Sequence, residues 1–225
     1  MLAHPVPALT AIVPALRRPL GVRDRLDDPR AVALTFDDGP GAEGTPSVLE
    51  GLAGLGVAAT FFITGEQVRD NPSVARDVVA AGHEIAVHGD RHRNLLRVGP
   101  RALANDLVRA GQTIADVIGV APTHYRPPYG VLNATALALC ADRGWEPVLW
   151  TRWGRDWRAR ATAAGVAAEI TRSLAGGEIL LLHDADRYSA PGSWHATVDA
   201  LPAIVAAVRA RGLALRRLDG RQGGR

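Results

Sequence analysis

An α/β fold on a parallel sheet is predicted by three features of the chain. Short apolar runs alternate with longer segments of helical period, which is the pattern of strand-helix-strand units. The residues with chemistry to offer fall at or just after the ends of those runs, so one shared mouth is expected at the carboxyl edge of the sheet. The chain has 225 residues, 47% of them hydrophobic, enough for the core of one α/β domain. A flat doubly wound sheet would satisfy the same alternation, but it would spread the reactive residues more widely than a barrel does.

In chain order, residues 1–30 read as an N-terminal extension. Its apolar stretch, Pro5 to Val13, is broken by proline, too short to span a bilayer, and lacks the basic start and cleavage site of a signal peptide. It is expected to pack across the bottom of the barrel, in a chain that reads as soluble. Strands are expected at 32–36, 58–63, 84–87, 124–126, 147–150, 179–182 and 213–218, each an apolar run bounded by turn residues. Helical period links Leu103, Leu107, Ile114, Val117 and Ile118, and likewise Val198, Leu201, Val205 and Val208. Pro46, Pro100 and Pro202 are expected near helix starts, where a missing amide costs little. Residues 31–218 form the single domain, and 219–225, rich in Gly and Arg, read as a flexible tail.

Asp37 and Asp38 follow the first strand, with Gly39-Pro40 to turn the chain. Neighbours on an extended chain point to opposite faces, so a turn is needed before both carboxylates can serve one site. One could then bind a cation while the other remains a base; the plain alternative is an Asp-Gly turn that ends a strand. His88 and His92, four residues apart, follow the third strand, and in a helical turn their rings would share a face. Two imidazoles and one carboxylate leave a coordination position open, as a catalytic metal site requires. By themselves the two histidines read sooner as surface or capping groups, and it is the aspartates that turn the reading toward a metal. His83, after Gly82, is expected to pack structurally at the strand entrance.

Further segments add a guanidinium between stiff prolines (Tyr125-Arg126-Pro127-Pro128-Tyr129-Gly130), an acid among indoles (Trp150 to Trp157), and an imidazole ending an apolar run (Leu180-Leu181-Leu182-His183-Asp184). In this order, these motifs resemble the polysaccharide deacetylases with the NodB homology domain, carbohydrate esterase family 4, from about residue 30 to about residue 218.

The resemblance implies a distorted (β/α)7 barrel with parallel strands, and a metal-dependent hydrolase that removes N-acetyl groups from N-acetylglucosamine-containing glycans such as peptidoglycan or chitin. It implies Asp38, His88 and His92 as metal ligands, Asp37 as base, Arg126 as the group that holds the base, and His183 as acid, its charge tuned by Asp156. The Tyr129 amide would donate to the oxyanion, while Trp157, Leu181 and Leu182 would line the pocket for the acetyl methyl. One divalent metal is implied, zinc first, with cobalt or nickel as alternatives. Members of the family often act at the cell wall or outside the cell. Other relatives act on small or cyclic amides, and a glycan-binding protein without turnover is the reading furthest from this set.

The chain departs from the family pattern at Trp153, where an acid is usual, and at Gly89, where Ser or Thr is usual. Trp194 reads as a hydrophobic lid or a sugar-stacking platform. Cys140, the single cysteine, reads as a small buried side chain. All 26 basic residues are arginine, yet the formal net charge is only +3. No basic stripe interleaves with aromatics, so nucleic acid is not an expected partner; a glycan is, with the protein acting as a monomer.

Overall fold

The computed structural model describes residues 5–220. Among them an eight-stranded parallel sheet curls around a narrow interior. Its strands are β1 (Ala31–Asp37), β2 (Thr60–Ile63), β3 (Glu84–Val87), β4 (His124–Tyr125), β5 (Glu146–Pro147), β6 (Arg152–Trp153), β7 (Ile179–His183) and β8 (Ala214–Arg216). The spatial order is β5-β4-β3-β2-β1-β7-β6, with β8 pairing the start of β1. The helices are α1 (Gly44–Leu55), α2 (Gly65–Asp70), α3 (Pro72–Ala80), α4 (Pro100–Ile118), α5 (Ala134–Arg143), α6 (Ala163–Thr171) and α7 (Trp194–Ala210).

Strand β1 is central, and every one of its residues is buried, because a parallel strand flanked by helices has no wet face. Period-two alternation then sorts the side chains. Val32, Leu34 and Phe36 join the large core beneath the helices, whereas Ala33 joins Phe62, Ala86, Val148, Ile179 and Leu218 inside the barrel. The interior cluster includes the small residues Ala33 and Ala86, as a tightly curled sheet requires.

The sequence expected one strand at 147–150; the structure has two short ones, β5 and β6, on opposite edges of the sheet. No ladder joins them among the described residues. The gap between β5 and β7 is bridged instead by the N-terminal extension. The Arg23 amide donates to Pro147 O at 2.9 Å, Leu149 N to Arg23 O at 2.7 Å, and Leu26 N to Gly177 O at 2.8 Å. The Arg17 guanidinium anchors the preceding segment on Trp150 O at 3.0 Å and Asp24 at 2.9 Å. The extension thus runs along the side seam rather than across the bottom, since the unpaired amides and carbonyls of the seam need partners that the short β5 does not supply.

Pro202 also differs from expectation. Helix α7 begins at Trp194, ahead of the apolar positions that predicted it, so the proline is internal. Pro100 does open α4, and Pro46 lies in the first turn of α1. His83 is buried against Phe61 with its Nδ1 accepting from Ala59 N at 3.1 Å, and burial lowers its pKa to about 4. Cys140 is buried in α5, which pushes its thiol up to about 12. Residues 221–225 of the expected tail lie outside the described residues. No helix among the described residues is long and apolar enough to cross a membrane.

Candidate active site

Sheet register assembles the site. Asp37 pairs with Phe62 on one side and with His183 on the other, Ile63 pairs with Val87, and Val87 with Tyr125. His88 and Arg126 therefore stand one residue beyond a paired row, at the edge that already holds Asp37 and His183. The ladder continues into them: His88 N donates to Ile63 O at 2.9 Å, and Arg126 N to Val87 O at 2.9 Å.

The turn that separates the two carboxylates sits at Asp38 itself, whose φ of 80° lies in the left-handed region. Gly39 follows where a Cβ would meet Asp184 Oδ2 at 2.2 Å, so only glycine fits. Asp37 Oδ1 accepts from Arg126 Nη1 at 2.7 Å. Arg126 is fully buried, also donates to Thr35 Oγ1 at 2.9 Å, and lies with its guanidinium carbon 3.9 Å from the Phe62 ring centre. Burial lowers its pKa, an effect the adjacent Asp37 opposes.

Asp38 Oδ1 lies 3.4 Å from His88 Nε2 and 3.4 Å from His92 Nε2. The two rings converge through an irregular turn, with Gly89 at φ +94°, and not through the helical turn that their spacing suggested. A backbone carbonyl can only accept, so the 2.8 Å contact of His88 Nδ1 with Arg126 O makes Nδ1 the donor and turns Nε2 toward Asp38. Buried Asp38 Oδ1 has no hydrogen-bond partner among the described residues. One ligand atom from each of the three residues falls within 4.8 Å of the others. This donor set fits a divalent metal. Burial would raise the Asp38 pKa, but His88, His183 and His92 outweigh it and hold the carboxyl below its usual range; burial drives His92 down to about 4.

Across the cavity, Asp156 is fully engaged. It accepts from His183 Nδ1 at 2.9 Å, from the His183 amide at 2.7 Å and from Thr197 Oγ1 at 2.7 Å. Burial would lower the pKa of His183, yet Asp156, with Asp38 and Asp37 behind it, raises it to about 10. Asp184, next in the chain, hydrogen-bonds Thr45 and is pushed up to about 7, chiefly by burial.

Asp37, Asp38, His88, His92 and His183 border a cavity of about 230 Å³, whose wall also includes Tyr129, Trp157 and Leu181. Tyr129 itself holds a left-handed backbone, φ 59°, at the tip of the stiff Pro127-Pro128 segment. Leu182 does not reach the cavity. Period-two alternation turns it outward, where it packs against Gly154 under the helical layer. Trp194 likewise lies elsewhere, stacked on His195 and close against Gly44.

Sequence reasoning gave no role to Trp150, Trp153 or Tyr188, all of which line the cavity. Tyr188 stacks on His92 with ring centres 4.7 Å apart and hydrogen-bonds Glu66. Its loop has no periodicity, so nothing short of a fold could have brought it to the histidine. Trp153 belonged to a visible indole cluster, and that was the available signal.

Fold and site define an α/β barrel with an Asp-His-His donor set at its strand ends and a buried arginine-held carboxylate and aspartate-held imidazole beside it. Comparison with known proteins narrows the class. The family model described as polysaccharide deacetylase matches residues 24–148. A chitooligosaccharide deacetylase of Bradyrhizobium sp. is 37% identical over 179 residues, covering 78% of this chain and 80% of its own. A peptidoglycan-N-acetylglucosamine deacetylase of Bacillus cereus is 33% identical over 187 residues, 80% of this chain and 64% of its own length. The crystal structure of the Bc1960 peptidoglycan N-acetylglucosamine deacetylase superposes with a TM-score of 0.81 at 28% identity, over 88% of this chain and 90% of that one. A family 4 carbohydrate esterase from Streptomyces lividans, solved with acetate, gives 0.75 at 31% identity, over 86% and 96%. The chain belongs to the polysaccharide deacetylase family, and its fold is that family's distorted (β/α)7 barrel.

Proposed function

We propose that this protein removes acetyl groups from N-acetylglucosamine units of a glycan by metal-dependent hydrolysis, with Asp37 as base and His183 as acid. One observation carries the reading: an arginine-held carboxylate, an Asp-His-His donor set and an aspartate-held imidazole share a single cavity of about 230 Å³. Relatives on both the chitooligosaccharide and the peptidoglycan side act on acetylated glucosamine, which supports the same substrate class.

Asp38, His88 and His92 would hold the metal, zinc before cobalt or nickel. Bound there, it supplies Lewis acidity to an amide carbonyl and to water. Arg126 fixes Asp37 Oδ1, which leaves Oδ2 to take a proton from the attacking water. The adjacent guanidinium keeps that carboxylate oriented. As the C–N bond breaks, the amine needs a proton. His183 carries one at neutral pH because Asp156 holds Nδ1–H, so the ring presents its other nitrogen as the donor. Trp157 and Leu181 give the cavity an apolar wall for the acetyl methyl, and the amide of Tyr129, on a left-handed turn at the same wall, would donate to the developing oxyanion.

Acetate release from chitooligosaccharides, peptidoglycan fragments and small acetamides tests the reading. Activity is expected on the glycans, to vanish on chelation and to return with zinc. Full turnover after metal removal, or preference for the small amides, would overturn it.

A further inference from the structure

The two imidazoles of the donor set are not held alike. His88 Nδ1 donates to Arg126 O at 2.8 Å, which fixes that ring, whereas the buried Nδ1 of His92 has no hydrogen-bond partner among the described residues. The Tyr129 and Tyr188 rings lie against His92, with centres 4.4 Å and 4.7 Å away, but neither bonds that nitrogen. The place of His92 Nε2 therefore depends on the backbone that carries the ring. Residues 89–91, which span the gap from His88, belong to no helix or strand.

That segment is gripped from two helices. The Gly65 and Glu66 amides, in the first turn of α2, donate to Gly89 O and Asp90 O at 3.0 Å each. On α4, Asp106 Oδ2 accepts from the Asp90 amide at 2.9 Å. The Asp90 carboxylate is fully buried between two guanidiniums. Arg69 of α2 bonds it at two points, 2.7 Å and 3.2 Å, and Arg109 of α4 reaches Oδ2 at 2.7 Å. Gly65 makes the close approach possible, since a Cβ there would lie 2.5 Å from Asp90 Oδ1.

An acid that merely braced one helix against another would sit on one of them. Asp90 lies midway between the histidines, so α2 and α4 are joined through the loop that spaces the two rings. The desolvation of a buried carboxylate offsets most of what its ion pairs contribute to stability, and what remains is a fixed geometry. Position 89 sharpens the argument. It has no hydroxyl to bond the loop locally, its φ of +94° favours glycine, and a Cβ there would lie 3.2 Å from Arg91 O. A loop of this shape, without a side chain at 89, needs its tether at 90.

We propose that Asp90 is a positioning residue for the metal site: clamped by Arg69 and Arg109, it holds the loop so that His92 Nε2 converges with His88 Nε2 and Asp38. The inference rests on the metal-dependent reading of these three residues and deepens it. Asp90 touches neither substrate nor metal, so its effect is on metal affinity.

The experiment measures the zinc Kd of the full chain by competition with a chromophoric chelator, with thermal melts of the metal-free proteins alongside. Asp90→Asn keeps the shape and removes the charge, and is expected to weaken zinc binding by about 10- to 100-fold. Arg109→Gln alters a side chain that is 55% exposed and leaves the two-point grip of Arg69, so a smaller loss, about threefold or more, is expected. Gly89→Ser restores the usual residue yet should weaken zinc by about tenfold, because the left-handed backbone resists a side chain. Raising zinc should restore acetate release in Asp90→Asn. Wild-type zinc affinity in Asp90→Asn, or in Arg109→Gln if the first variant does not fold, would reduce the trio to a brace between helices and overturn the proposal, even if the metal-free protein melts earlier. Tighter zinc in Gly89→Ser would overturn it too, by showing that the hydroxyl is what the loop lacks. Zinc bound by wild type and weakened in the variants, with no acetate released from any substrate, would sink only the deacetylase reading.

Discussion

Two neighbouring carboxylates carry different work because their partners differ. Asp37 answers to Arg126, and Asp38 to the two imidazoles. Asp37→Asn is therefore expected to leave zinc content, measured by elemental analysis, at one per chain while acetate release falls by about 100- to 10,000-fold. The variant should also melt at lower temperature, since buried Arg126 loses its carboxylate. Loss of zinc together with activity would instead make Asp37 a ligand. On the other side, Asp156 raises the pKa of His183. An acid must be protonated to work, so rate falls as pH rises through its pKa. Asp156→Asn lowers that pKa, and the alkaline limb of kcat/KM, recorded for both zinc-loaded proteins, is expected to move to lower pH. A limb that stays in place would remove His183 from the proton transfer.

At the scale of elements, the strands that position the site were legible because each has a strong local signature. The runs ending at Asp37, Val87 and His183 are apolar, compact and stopped by residues that turn the chain. What was not legible depended on pairing. The split of the expected 147–150 strand into β5 and β6, on opposite edges of the sheet, follows from which neighbours supply hydrogen bonds, and no local pattern encodes that. The inward turn of Leu181 against the outward turn of Leu182 follows from register, and the family motif names both without distinguishing them. The place of Tyr188 over His92 depends on a loop without period. Helix α4 gives a sharper case. Gly111 sits on its buried face, where a Cβ would come within 2.5 Å of the Trp145 ring, so the helix lies close against the turn before β5 only because a side chain is missing. Gly111→Ala improves helix propensity yet should lower stability by about 1–3 kcal/mol through overpacking. Thermal unfolding followed by circular dichroism checks the sign; a rise in Tm would mean that Trp145 yields freely.

The molecule as a whole is tied together at the end opposite the site. His124 on β4 contacts Glu84 on β3 at 2.6 Å through Nδ1 and Glu146 on β5 at 3.3 Å through Nε2. Arg23 of the extension reaches Glu146 at 3.0 Å and Leu218 O at 3.2 Å, while Glu84 also accepts from Thr60 Oγ1 at 2.8 Å and the Asp219 amide at 3.2 Å. One network thus links the first segment of the domain to its last. Burial alone would lower the His124 pKa, but the two glutamates outweigh it and raise it to about 9. The sign follows by linkage. The folded state keeps a proton that the unfolded chain releases near its ordinary value of 6.5, so the stabilisation is complete below that value and is lost as pH rises through about 9. Glu146 is partly open to solvent, which discounts the effect to something on the order of 2 kcal/mol. Urea unfolding is therefore expected to show a midpoint that falls between about pH 6.5 and about pH 9.5, and His124→Gln should flatten that fall because it keeps a polar ring-sized group but cannot be charged. An identical decline in the variant would assign the alkaline loss to other groups.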